Sequence, residues 1–215
     1  METRIRKLKG YTEGMVSLFH ALEAKHAMVA PTVANPDVTG RFHGNAFAAD
    51  GLNQIRATLF LDVIKDCARI TFDKFDSSPS ICRILTLLQQ QDLREEIKKR
   101  FCAVGFRVPS CDFDSRLSQI ESSFMIFSEE ERSRNIKKAR DKVVAHSEMQ
   151  CIDGDYKLRP IDDYKLVWTE PGEYIEKIRY FVFEIALLVL DTSYAHESFT
   201  SAHEKISREF WAAAG

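Results

Sequence analysis

Apolar residues recur every three or four positions along most of the chain, a spacing typical of amphipathic helices. One such segment covers residues 11–28, and a second, longer one covers residues 52–70. Two prolines and two glycines between residues 31 and 44 predict a long connection between them. The first quarter of the chain is therefore predicted to form two helices joined by a loop.

The middle of the chain contains several helix start signals. The pair Ser78-Pro79 predicts a start with serine as N-cap and proline at the first helical position, where no backbone donor is needed. The charged residues 92–100 extend that helix or begin a short one. Asp112 and Asp114 can then cap a further helix, because their carboxylates accept bonds from free backbone N–H groups.

Residues 128–131, Ser-Glu-Glu-Glu, match a capping box, with serine at the N-cap and a glutamate three residues later. We expect a helix to start or restart there. Its apolar positions are Ile136, Ala139 and Val143, and it is predicted to continue to about Ser147. The residues after Lys138 therefore fall in its last turns.

The last quarter of the chain mixes two patterns. Asp153-Gly154 between two short apolar segments predicts a hairpin turn, and residues 164–168 predict a further extended piece. Helical spacing returns over residues 169–189 and 199–210. Together these patterns predict an all-α protein: an antiparallel helical bundle with a short irregular or hairpin insertion near residues 149–168, in a single domain spanning residues 1–215.

Composition narrows the partners and the compartment. The formal net charge is -2, so attraction to a polyanion must come from a local basic patch. The five cysteines form an odd set without a C-x-x-C pair, which suits neither a disulfide framework nor a zinc cluster. The most apolar run, residues 180–190, is shorter than the ~20 residues that span a bilayer. We therefore predict a cytoplasmic protein with no membrane partner.

Arg140 and His146 carry the strongest candidate chemistry. On a straight helix both flank the apolar stripe of the segment, but they are ~120° and ~9 Å of rise apart. One helix therefore cannot direct both side chains at the same phosphate. A symmetric dimer that packs this stripe against its copy would bring two of each residue into one cleft, so we expect a homodimer.

These residue types suit cleavage of RNA without a metal or cofactor. A histidine such as His146 exchanges protons near neutral pH, and it can deprotonate a ribose 2'-hydroxyl or protonate the departing oxygen. Arg140 offers a fork of donors to the charge that develops on the phosphate. A local basic cluster is a candidate to bind the RNA backbone. Its members are Arg134, Lys137, Lys138 and Lys142.

Residues 139–146, ARDKVVAH, resemble the active-site motif of HEPN domains, in which an arginine and a polar residue precede a histidine. The chain resembles the AbiU-like branch, named for a bacterial phage abortive-infection protein, in this motif sequence, in the long helix around residues 59–62 and in its length. The resemblance assigns the two catalytic positions to Arg140 and His146. Asp141 matches the polar position.

The same resemblance implies a compact, usually dimeric helical bundle. It also implies a metal-independent endoribonuclease that leaves a 2',3'-cyclic phosphate, commonly as a toxin or phage-defence effector. An antitoxin protein is then a candidate partner. The chain lacks the tyrosine that follows the histidine in toxins controlled by nucleotidyltransferase antitoxins, so we do not expect that form of regulation.

Other interpretations of the same residues stay open. Arg140 can pair with a neighbouring carboxylate, and a basic helix face is often simply solvated. The alternatives to a ribonuclease are a non-catalytic helical module that binds RNA or protein, and a structural dimerisation domain. No metal site is predicted: His196 and His203 are ~10 Å apart on one helix face, and His20 and His26 are expected to flank a core.

Overall fold

The computed structural model describes residues 1–42, 44–103, 112–144, 149–152, 155–158, 164–166, 170–194 and 196–214. Most of these residues are helical. The helices are α1 (Glu2–Ala34), α2 (Pro36–Gly40), α3 (Ala46–Phe72), α4 (Ile81–Leu88), α5 (Gln91–Ala103), α6 (Asp112–Glu129), α7 (Glu131–Ala139), α8 (Glu170–Leu190) and α9 (His196–Ala213). The predicted all-α class is confirmed. Within the described ranges, no helix is both long enough and apolar enough to cross a membrane.

The predicted insertion is a β-hairpin. Strand β1 (Met149–Ile152) pairs antiparallel with β2 (Asp155–Leu158), so that Met149 lies opposite Leu158 and Ile152 opposite Asp155. The turn residues Asp153 and Gly154 lie outside the described residues. Of the predicted extended piece at 164–168, residues 164–166 are described and do not form a strand.

Helix α1 is longer than the apolar pattern predicts. It begins at Glu2 and continues through Pro31 to Ala34, and the short helix α2 follows at once. The side chain of Asn35 caps α2 by accepting a bond from the backbone N–H of Asp37 at 2.9 Å. The predicted long loop is therefore wrong over residues 31–40, because an N-cap and a proline at the first helical position start a new helix there.

The cap of α4 lies two residues later than predicted. Ser80, not Ser78, is the N-cap, and its hydroxyl oxygen accepts a bond from the backbone N–H of Arg83 at 3.1 Å. The hydroxyl of Ser78 instead donates to the carboxylate of Asp73 at 3.2 Å. Two serines, on either side of Pro79, can each serve as the cap, and the contact with Asp73 engages the first of them.

The chain divides into two compact units, each built from three segments. The first contains residues 1–19, 68–134 and 176–194, and the second contains residues 20–67, 135–175 and 195–215. The prediction of one domain over residues 1–215 stays a prediction. Each unit has its own buried contacts.

In the first unit, aromatic rings join α6 to α8. Phe181 packs edge-on against Phe124 with the ring centroids 5.4 Å apart, and it also meets Phe127 at 5.3 Å. Asp114 binds Lys98 and Arg94 of α5, at 2.5 and 2.7 Å. These two cations hold the pKa of the Asp114 carboxyl below its usual value. The start of α6 is thus bound to α5.

In the second unit, the end of α9 contacts α1. The indole N–H of Trp211 donates to the backbone carbonyl of Met28 at 2.9 Å, and the Trp211 side chain packs with Val38 and Leu52. The apolar residues that recur at helical spacing over residues 199–210 do not mark the buried face, since Phe199 and Ile206 are exposed. The buried face of α9 carries Ser207 and Trp211 instead.

Candidate functional site

Helix α7 has one buried face and one basic, exposed face. Ser133, Ile136 and Ala139 are buried at steps of three, and the Ser133 hydroxyl donates to the backbone carbonyl of Phe127 at 2.6 Å. Ile136 and Ala139 are therefore already packed inside the chain. The sequence predicted that this apolar stripe packs against a second subunit. At these two positions it is instead part of the core of one chain, where burial of the apolar side chains stabilises the fold.

The restart of the helix is confirmed, but its cap is not. Ser128 lies inside α6, where its hydroxyl donates to the backbone carbonyl of Met125 at 2.9 Å. Helix α7 begins at Glu131, after a bend at Glu130. The extra acidic residues thus lie at the junction of α6 and α7, where they meet the positive end of the α7 dipole.

The motif begins where the helix changes type. Helix α7 ends at Ala139, and Arg140–Val144 form a π-helical segment. The predicted straight α-helix is therefore wrong over Arg140–Val144, and the rest of its predicted length, to about Ser147, lies outside the described residues. A π-turn closes its hydrogen bonds over five residues instead of four, so the angles of an α-helical wheel do not apply here. Such segments are rare and occur frequently at functional sites.

Arg140 and Asp141 contact one another at the start of this segment. The Nε atom of Arg140 lies 2.7 Å from Oδ1 of Asp141. The side chain of Arg140 is 21% exposed and that of Asp141 44%, so the pair borders on solvent. The Asp141 carboxylate therefore lies beside Nε of the guanidinium as an ion pair and not as an aligned hydrogen bond.

The remaining predicted site residues divide into two groups. Lys137, Lys138 and Lys142 are exposed, and Arg134 is exposed with its guanidinium 3.9 Å from the Glu129 carboxylate. Exposed ion pairs at this distance contribute little, so Arg134 can exchange Glu129 for a phosphate at low cost. The second group is His146 alone, which lies outside the described residues.

The first unit also contains a groove with a volume of about 460 Å³. Ile126, Phe127 and Tyr180 are among its lining residues, and the Lys177 ammonium pairs with Glu130 at 2.7 Å. The walls are mainly apolar and the cation is neutralised by its carboxylate. This groove therefore lacks the positive charge that a phosphate backbone requires.

The structure also shows a polar cluster that the sequence analysis missed. His20 and Glu23 of α1 meet His203 of α9, and one ligand-type atom from each lies within 4.8 Å of the others. His20 and Glu23 are three residues apart and so share a helix face, which is the one feature of the sequence that indicated this cluster. Their contact with a residue 180 positions later could not be read from spacing, since it depends on how α9 packs.

The comparison with protein families assigns the chain first to a class and then to one family. The model that matches is a HEPN model, and within that class it is AbiU2, matched over residues 5–210. The chain therefore belongs to the AbiU2 family of HEPN proteins, an abortive-infection type. The resemblance stated from residues 139–146 is confirmed. Comparison with curated proteins and with solved structures gives no match.

Proposed function

We propose that this protein is a metal-independent endoribonuclease that cleaves RNA in the cytoplasm as a toxin or phage-defence effector. The observation that carries the proposal is the Arg140–Asp141 pair, which opens a π-helical segment at the end of a basic helix. Membership of the AbiU2 family supports the same role for these positions. RNA is the substrate and an antitoxin protein is a candidate regulator.

The proposed chemistry divides the work between two side chains. His146 takes the proton of the ribose 2'-hydroxyl as that oxygen attacks the adjacent phosphorus, or protonates the departing 5'-oxygen. The bond between phosphorus and the 5'-oxygen breaks, which leaves a 2',3'-cyclic phosphate and a 5'-hydroxyl. Arg140 stabilises the extra negative charge on the phosphoryl oxygens, with Asp141 holding the guanidinium in place.

Homodimer formation belongs to the same proposal. A cleavage that needs both an acid and a base is served best by two histidines, and a symmetric dimer supplies the second His146. Because Ile136 and Ala139 are buried inside the chain, the dimer contact must use other residues. The proposal therefore requires a dimer but not the stripe of α7.

The decisive experiment compares two substrates and two histidine variants. A fluorescent single-stranded RNA and its fully 2'-O-methylated copy are incubated with untagged protein in EDTA, and circular dichroism confirms that the fold persists. We expect cleavage of the RNA alone, with cyclic phosphate ends, and loss of that cleavage in His146→Ala. His26→Ala serves as the matched histidine control on α1 and should cleave normally.

Two outcomes would contradict the proposal. Cleavage of the 2'-O-methylated strand would exclude attack by the ribose hydroxyl. Cleavage by His146→Ala at the wild-type rate would remove the proposed acid and base. Either result leaves the family assignment unchanged, because that assignment rests on the match over residues 5–210.

A second candidate is a non-catalytic helical module that binds RNA or a protein partner. The exposed Lys137 and Lys138, on the side of α7 away from the core, favour it. Under this function RNA stays intact but binds in a strongly salt-dependent manner. The same incubation distinguishes the two functions, since only the first generates cyclic phosphate ends.

A further inference from the structure

The cluster formed by His20, Glu23 and His203 has the donor set of a zinc site. Each residue offers one ligand atom, and these three atoms lie within 4.8 Å of one another. His20 Nδ1 and Glu23 Oε2 are 3.4 Å apart. Neighbouring ligands of a tetrahedral zinc ion are also about 3.4 Å apart, given metal–ligand distances of about 2.1 Å. Small side-chain rotations would bring the His203 ligand atom to the same distance from the other two ligand atoms.

The surroundings of the cluster fit a bound cation. The Glu23 side chain is only 4% exposed, so water would screen little of its attraction to a bound cation. Nε2 of His203 is buried and, among the described residues, has no hydrogen-bond partner. A metal ion at this position would give the buried His203 nitrogen a partner.

Further contacts orient the ligands. The Thr200 hydroxyl lies 3.4 Å from Oε1 of Glu23, the carboxylate oxygen that does not face His20. The His20 ring packs on Phe199 with the centroids 4.4 Å apart. Contacts of this kind hold ligating side chains in one orientation and raise metal affinity. The site is thus built from adjacent turns of α1 and α9.

We propose that His20, Glu23 and His203 bind one Zn²⁺ ion, which fixes α9 to α1 within the second unit. Two imidazoles and one carboxylate are typical zinc ligands, whereas Ca²⁺ and Mg²⁺ prefer oxygen ligands. Three protein ligands leave a fourth position for water. The ion stabilises the packing of the C-terminal helix and takes no part in the cleavage of RNA.

The test uses untagged full-length protein and measures metal directly. Protein is stripped with EDTA, dialysed, exposed to Zn²⁺ and analysed by mass spectrometry for metal content and by thermal unfolding. We expect one zinc per chain, with the unfolding midpoint raised by about 5–10 °C at 100-fold excess over Kd. His203→Asn and Glu23→Gln should lose both effects, while His26→Asn, six residues along α1, should keep them.

A substitution that changes the ligand separates binding from folding. His203→Cys should retain a metal, because a thiolate ligates Zn²⁺ and Co²⁺. With Co²⁺ it should gain a thiolate-to-cobalt absorption band that the wild-type protein lacks. Absence of zinc from the wild-type protein, or equal zinc binding by His203→Asn and His26→Asn, would overturn the proposal. None of these measurements depends on RNA cleavage.

Discussion

Charged residues on α7 and on α1 have opposite surroundings. Along α7, Lys137 and Lys138 are exposed, where a charge costs little. Along α1, Glu23 is buried, and Lys25 reaches Asp66 at 2.6 Å and Asp62 at 2.8 Å. Exposed charges reveal what the protein can bind, whereas buried charges must find partners within the fold and so report on its structure.

The largest effect is expected at Arg140, whose side chain is 21% exposed and is therefore neither fully in solvent nor buried. Arg140→Ala should lower the rate of RNA cleavage by about 10²–10³-fold, because the donors to the developing phosphate charge are lost. The cleavage rate of Arg140→Lys should lie between those of the wild type and Arg140→Ala, because lysine keeps the charge but lacks the fork of donors. Single-turnover cleavage of end-labelled RNA measures both. Arg208→Ala, at an exposed arginine of α9, is the control, and a wild-type rate in Arg140→Ala would contradict the site.

Lys25→Met removes the partly buried ion pairs of Lys25 with Asp66 and Asp62. We expect a loss of about 2 kcal/mol in the free energy of unfolding, because Asp66 would be left buried beside an apolar side chain. The figure is at the low end since the Lys25 side chain is 30% exposed. Urea unfolding at pH 7 measures it. Lys65→Met removes the exposed partner of Asp62 and should cost less than 1 kcal/mol.

The same variant has a defined pH dependence. Hydrogen bonds from Lys25 and then Lys65 hold the pKa of the Asp62 carboxyl below its usual value. Stability from such a group is present above the unfolded pKa and is lost as pH falls through the lower folded value. The difference between wild type and Lys25→Met should therefore shrink as pH falls toward about 3. A difference that grows in acid would contradict the ion pair.

The smallest effect is expected from the exposed lysines. Lys137→Ala combined with Lys138→Ala should weaken RNA binding several-fold and reduce the slope of log affinity against log salt by about 1.4 for a single strand. Fluorescence anisotropy at several salt concentrations measures the slope. Lys205→Ala, on an exposed turn of α9, is the matched control. An unchanged slope in the double variant would exclude this face as the RNA contact.

The helical pattern predicted α7 well but its end poorly. Ile136 and Ala139 are apolar and recur at helical spacing, so their burial could be predicted. The change to a π-helix at Arg140 could not, because a local expansion of the helix depends on the packing around it rather than on any residue type. The ion pair between Arg140 and Asp141 lies at the start of that segment.

Helix α9 shows the opposite failure. Its apolar residues recur at helical spacing, yet Phe199 and Ile206 are exposed and the buried face carries Ser207 and Trp211. Hydrophobic spacing assumes that the neighbouring surface is apolar. Here His203 of α9 is half-buried beside His20 and Glu23 of α1, so the facing surface includes polar residues.

The sequence by itself determined the all-α class, the hairpin near residue 150 and the AbiU-like HEPN motif, since these depend on local periodicity, turn residues and a short stretch of chain. Only the tertiary structure decided that the α7 stripe is core, that Arg140 pairs with Asp141 at a π-helical segment, and that His203 meets His20 and Glu23. Contacts between residues distant in sequence are set by packing, and no local pattern encodes them.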